Sequence, residues 1–240
     1  MFNPILVALD VPDVEKALAL AKDLAPHVGG FKIGSELFTS VGPDIVKRIR
    51  STGARVFLDL KFYDIPNTVA KAVAAAVRLD VQMLTIHTSG GPAMMEAAEK
   101  SAQETASSQK TPPPLVLGVT VLTSMDGHEL EQIGLGSSPA QQVERLAALA
   151  VKSGLRGLVC SPLEITALRK IIPPDVKLVT PGIRAATDKA NDQKRTLSAA
   201  DAIIAGADWL VIGRPICAAK DPVKAAQDIL ASLPDKKPCK

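Results

Sequence analysis

Eight short runs rich in β-branched and apolar residues recur along the chain, at positions 5–9, 31–33, 55–60, 83–87, 115–122, 157–160, 177–180 and 209–212, with helical patterns between them. Runs that are apolar throughout, rather than alternating, belong to strands covered on both faces, and strands that alternate with helices pair in parallel. Eight such units in 240 residues predict an α/β protein of the closed (β/α)₈ TIM-barrel type, which takes ~250 residues, over an open doubly wound sheet. Residues 1–240 are expected to form one domain.

Helix beginnings support this reading. Ser138-Pro139-Ala140-Gln141 and Ser161-Pro162-Leu163-Glu164 are capping boxes with proline at the first helical position, and Asp221-Pro222 opens the last helix. Val14, Leu18, Ala21 and Ala25 share a helical stripe, as do Val143, Leu146, Ala147, Ala150 and Val151. Residues 107–114, 125–137 and 182–192 are expected loops, the last two being candidates for a lid, and residues 236–240 an expected frayed tail.

A barrel of this kind carries its reacting groups on strand C-termini and the loops after them. Those positions are polar here and several are charged: Asp10 after the first run, Lys32 in the second, Asp59 and Lys61 at the third and Arg214 after the eighth, with His87 at the fourth and Thr123 after the fifth. Strand alternation puts Asp59 and Lys61 on one side and Leu58 and Leu60 on the other, with Asp64 following on the loop. A lysine flanked by carboxylates is held protonated, which suits an acid or an electrostatic stabiliser and not a Schiff-base nucleophile. The same residues also read as a structural ion-pair ladder, with Asp64 as a helix cap. Gly213-Arg214-Pro215 offers close backbone approach and a planar guanidinium to a phosphate, or a surface arginine at a turn. Arg184, Gln193 and Arg195, in or beside the seventh loop, suit closure over an anion or a solvated loop equally.

Other chemistries lack support. There is no G-x-G-x-x-G and no Gly-Lys dipeptide. His128-Glu129-Leu130-Glu131-Gln132 starts like a zinc-protease helix but ends in glutamine, and His27 and His87 are scattered, so no metal site is expected. Twenty-eight lysines and arginines against 25 acids leave a net charge of +3, and aromatics are only 3%, which argues against nucleic acid as a partner. Cys160, Cys217 and Cys239 form no C-x-x-C pair and fit a reducing compartment; Cys160 has no activating neighbour. No apolar run approaches the ~18 residues of a membrane span. With no basic leader visible, the expected location is the cytoplasm.

The ordered motifs Val7-Ala8-Leu9-Asp10, Phe31-Lys32-Ile33-Gly34, DLKFYDIPNTV at 59–69, Val119-Thr120-Val121-Leu122-Thr123-Ser124, Thr180-Pro181-Gly182-Ile183-Arg184, Asp192-Gln193-Lys194-Arg195 and Val211-Ile212-Gly213-Arg214-Pro215 resemble the orotidine 5′-phosphate decarboxylase family over nearly the whole chain. The resemblance implies conversion of orotidine monophosphate to uridine monophosphate in pyrimidine synthesis, without metal or organic cofactor, at a site shared across a homodimer. By position, it implies that Lys61 protonates pyrimidine C6 within a charge network of Lys32, Asp59 and Asp64. It further implies that Asp10 and Lys32 hold the ribose and that Thr123 contacts the pyrimidine. Arg184, Gln193, Gly213 and Arg214 would surround the phosphate, and Asp64 and Thr68 would come from the partner subunit. Tyr63 and Ala185 depart from residues common in that family, a histidine and a proline, without touching the implied chemistry. Magnesium-dependent sugar-phosphate decarboxylases and aldolases share D-x-K-x-x-D; their strand-two glutamate is replaced here by Lys32.

Overall fold

The computed structural model describes residues 2–136, 138–183 and 197–234. Eight parallel strands, β1 (Ile5–Ala8), β2 (Gly30–Gly34), β3 (Val56–Phe62), β4 (Met83–His87), β5 (Leu115–Val119), β6 (Gly157–Val159), β7 (Lys177–Thr180) and β8 (Trp209–Ile212), close into a barrel in sequence order. Around them run α1 (Val14–Leu24), α2 (Ser35–Val41), α3 (Asp44–Arg50), α4 (Pro66–Val77), α5 (Pro92–Gln109) and α6 (Gly127–Gln132). The series continues with α7 (Pro139–Lys152), α8 (Ile165–Ile171), α9 (Ala199–Ala205), α10 (Arg214–Cys217) and α11 (Pro222–Ala231). All eight predicted strands form. Val119 closes the fifth, three residues short of its apolar run.

Two apolar layers follow from the period of two along each strand. Leu6, Ala8, Phe57, Met83, Leu117, Val179, Trp209 and Val211 meet inside the barrel. Their alternates, among them Ile5, Val7, Phe31, Ile33, Leu84 and Leu210, pack with the helices in the larger outer core. Gly157 makes room inside, since a Cβ there would come within 2.5 Å of Leu117. Below it Phe2 meets Trp209 edge-on at 4.6 Å and caps the N-terminal end. The apolar interior thus fills the lower barrel and leaves the C-terminal end to polar residues.

The capping boxes form as expected. Ser138 and Gln141 exchange bonds at the start of α7, and Ser161 and Glu164 do so before α8, although a 3₁₀ turn (Pro162–Glu164) precedes that helix. Asp221 caps α11 through Lys224 N. In α1 the buried stripe is Ala17, Leu20, Ala21 and Leu24, with Val14, Leu18 and Ala25 flanking it. Two expected loops are partly helical. α5 runs on to Gln109 because Ala98, Ala102 and Ala106 give it a narrow buried stripe that polar neighbours mask. α6 lies within 125–137, where Asp126 and Glu129 form a third capping box. Its zinc-protease-like start is otherwise engaged: Glu129 caps and His128 Nε2 sits 3.0 Å from Gln132 Nε2. No helix among the described residues is long and apolar enough to cross a membrane.

Candidate active site

The C-terminal end of the barrel opens into a cavity of about 510 Å³. One wall is charged, built from Asp10, Lys32, Asp59 and Lys61 on β1–β3 or just beyond them. The rest of the lining is partly apolar and includes Val119, Val159 and Val211 of β5, β6 and β8. Thr123, Gly213 and Arg214 complete the rim.

The charged wall is a continuous row of alternating sign. Lys32 Nζ donates to Asp10 Oδ1 at 2.9 Å and stands 3.6 Å from Asp59 Oδ2, while Lys61 Nζ donates to Asp59 Oδ1 at 2.8 Å. Exposure decides the roles along it: the Asp59 side chain is 13% exposed and that of Lys32 10%, against 36% for Lys61 and 53% for Asp10. The two least exposed members anchor the row and its two ends are the more open to solvent. Burial pushes the Asp59 carboxyl up, yet Lys32, then Lys61, and hydrogen bonds from Lys61 and Thr85 together hold it below the ordinary 3.8. Asp59 is therefore a carboxylate throughout the neutral range.

Lys61 reaches its place by an irregularity. β3 uses four residues from Leu58 to Phe62 where β4 uses two from Leu84 to Ile86, and Lys61 takes φ +51°. Such a conformation is rare outside glycine and marks a position that the surroundings enforce. Its backbone N–H donates to Thr85 Oγ1 at 2.8 Å, and Thr85 Oγ1 donates to Asp59 Oδ1 at 3.0 Å. Thr85 is fully buried. Gly34, the register partner of Asp59, matters sterically: a Cβ there would lie 3.0 Å from Asp10 Oδ1 and 3.1 Å from Lys32 Nζ. Neither Thr85 nor Gly34 belongs to the candidate set read from the sequence.

Nearby groups are silent at neutral pH. His87 is half-buried and edge-on to Tyr63 at 5.7 Å; burial, then Lys61, lowers its pKa, with Asp59 opposing. Cys160 and Cys217 line the cavity, but burial pushes their thiols up to about 12 and about 11, with Glu164 adding to the first and Asp10 to the second. Neither is an activated nucleophile.

One chain thus brings Asp10, Lys32, Asp59, Lys61, Thr123, Gly213 and Arg214 to one cavity. Asp64 and Thr68 are exposed and do not line it. Asp64 is not a helix cap: Ile65 holds the N-cap position of α4 without a side-chain bond, and Asp64 Oδ1 only accepts from Ile65 N at 2.6 Å. Arg184, Gln193 and Arg195 lie outside the described residues. Among the described residues no three His, Cys, Asp or Glu side chains gather as a metal site would require.

Residues 3–229 match the model of the orotidine 5′-phosphate decarboxylase / HUMPS family. The chain is 52% identical over 229 residues to the orotidine 5′-phosphate decarboxylase of Opitutus terrae, covering 95% of this chain and 97% of that one. It is 51% identical over 233 residues to the enzyme of that name from Paramagnetospirillum magneticum, covering 97% and 99%. The crystal structure of orotidine 5′-phosphate decarboxylase from Lactobacillus acidophilus superposes with a TM-score of 0.82 at 36% identity, covering 95% of this chain and 97% of that one. With its barrel, its row of alternating charges and these matches along nearly its full length, the chain belongs to the orotidine 5′-phosphate decarboxylase / HUMPS family.

Proposed function

We propose that this protein decarboxylates orotidine 5′-monophosphate to uridine 5′-monophosphate, the decarboxylation step of pyrimidine biosynthesis, with Lys61 as the proton donor and no metal or organic cofactor. Relatives about half identical over the whole chain carry that activity in their names. The observation that carries the reading is the Lys61 ammonium, 2.8 Å from the buried Asp59 carboxylate and facing the cavity.

Loss of carbon dioxide breaks the bond from C6 to the carboxyl carbon and leaves its electron pair in an sp² orbital in the ring plane. The ring π system cannot take up that pair, so a fixed cation beside C6 must stabilise it. Lys61 Nζ supplies the charge, then gives a proton to C6, and water reprotonates the resulting amine. Asp59, itself paired with Lys32, holds the ammonium in place without a reorganisation at the moment of reaction. Asp10 and Lys32 take the ribose hydroxyls and Thr123 the pyrimidine. Gly213 and Arg214 take the phosphate, with Arg184 and Gln193 closing on it. Phosphate binding remote from C6 supplies energy for closing the site and excluding water.

Two exposed residues fit a shared site. Asp64 and Thr68 lie outside their own chain's cavity beside exposed Tyr63 and Ile65, as residues donated to a partner subunit would, and the protein is read as a homodimer in the cytoplasm. Lys32 occupies the strand-two position where the magnesium-dependent sugar-phosphate members of the family carry a metal-binding glutamate, which favours the nucleotide reaction.

The test is the ultraviolet absorbance of orotidine 5′-monophosphate with purified protein in excess EDTA. Rapid conversion to uridine 5′-monophosphate is expected; no conversion by folded protein, with turnover of a sugar phosphate on adding magnesium, would overturn the reading.

A further inference from the structure

Inside a barrel, a backbone N–H displaced from its ladder needs another acceptor. The irregular pairing of β3 with β4 displaces that of Lys61, and Thr85 Oγ1 accepts it at 2.8 Å. A hydroxyl has one proton, and here it goes to Asp59 Oδ1 at 3.0 Å. That same oxygen accepts from Lys61 Nζ at 2.8 Å. The bonds form a ring that begins at the Lys61 backbone, passes through Thr85 and Asp59, and returns to the Lys61 ammonium. Every direction in the ring is determined, because an N–H can only donate and the carboxylate can only accept.

From this ring we propose that Thr85 is a positioning residue, fixing at once the left-handed backbone of Lys61 and the carboxylate oxygen that holds its ammonium. The proposal rests on the decarboxylase reading. A side chain present only to fill the strand would be replaceable by valine, which has the same shape and suits a strand equally. Thr85 does more than fill: it sits fully buried between the two reacting-site residues of the neighbouring strand. Without the hydroxyl, Lys61 N–H loses its acceptor and Asp59 loses a donor, so the ammonium is free to leave the line of attack. Substrate contacts at the ribose and phosphate are untouched.

The experiment compares Thr85→Val and Thr85→Ser with the wild-type protein in steady-state kinetics and in a ¹³C NMR titration of the Asp59 carboxyl, whose charged and titratable neighbours are Lys32, Lys61 and His87. Thr85→Val is expected to lower kcat by about 10- to 100-fold with KM within about threefold, and to move the Asp59 titration upward. Thr85→Ser, which keeps the hydroxyl, recovers most of both. Should Thr85→Val not fold, as judged by circular dichroism, Thr85→Ala gives the same split. An active valine variant with unaltered kcat and an unmoved Asp59 titration would overturn the proposal, as would a loss appearing only in KM. A wild-type protein without decarboxylase activity, whose Asp59 titration still moves on Thr85→Val, would overturn the decarboxylase reading and leave the hydrogen-bonded ring standing.

Discussion

Lys61 has a backbone φ of +51° and presents its ammonium 2.8 Å from Asp59 Oδ1, two residues earlier on the same strand. Left-handed backbone at a lysine is unfavourable in itself, so the surrounding fold supplies the energy that keeps it there. The gain is an ammonium held against a buried carboxylate before any substrate arrives.

On the proposed mechanism, Lys61→Ala is expected to reduce decarboxylation by about 10⁴-fold or more, since it removes both the proposed proton donor and the charge proposed to face the developing carbanion. Binding of uridine 5′-monophosphate, followed by calorimetry, should persist, because the proposed ribose and phosphate contacts come from other residues. A variant turning over at near-normal rate would remove Lys61 from the chemistry.

How Lys61 is held was not legible in the sequence, although its side was. Alternation puts Asp59 and Lys61 together, and they are together, but four residues against two on β4 and a positive φ take the strand off regular alternation. No residue type announces that conformation, whereas a glycine would have. Thr85 was reachable by parity, lying between Met83 and His87 on the inward face, but a lone threonine carries no motif. The strands were legible because each is covered on both faces and so is mostly apolar; the overrun at 115–122 arose because Val121 stays buried after the ladder has ended.

Asp59 ties acid stability to the site. Its folded pKa lies below the 3.8 of an ordinary carboxyl, so it favours the folded state above pH 3.8, and that contribution is lost as pH falls through the folded value. Asp59→Asn cannot protonate in this way. Thermal melts of the variant between about pH 3 and 5 should fall less steeply toward acid than those of the wild type. Parallel slopes for the two proteins would show that Asp59 titrates normally.

Arg214 stands at the rim of the cavity just after β8, where barrels of this kind often bind phosphate. Arg214→Ala is expected to weaken phosphate-bearing substrate by about 2–4 kcal/mol, roughly 30- to 1000-fold in kcat/KM. The phosphate-free nucleoside, having no anion to lose, should be turned over at nearly the wild-type rate. Equal losses with both substrates would place Arg214 away from the phosphate.

The opposite end of the barrel gives a contrasting case, because residues there act on stability and not on chemistry. Arg169 of α8 donates to Val176 O at 2.7 Å and Gly206 O at 2.9 Å, which precede β7 and β8, and pairs with Asp208. Asp208 in turn accepts from Leu178 N at 3.0 Å. One guanidinium thus ties a helix to the entrances of two strands, and its side chain is 21% exposed, so water replaces its bonds only in part. Arg169→Ala leaves two carbonyls and a half-buried carboxylate short of partners. The expected cost is about 2–4 kcal/mol in urea unfolding. The folded fraction should keep wild-type kcat and KM, since the proposed reacting groups lie at the other end of the strands. A change in kcat without a change in stability would mean that the two ends of this barrel are coupled.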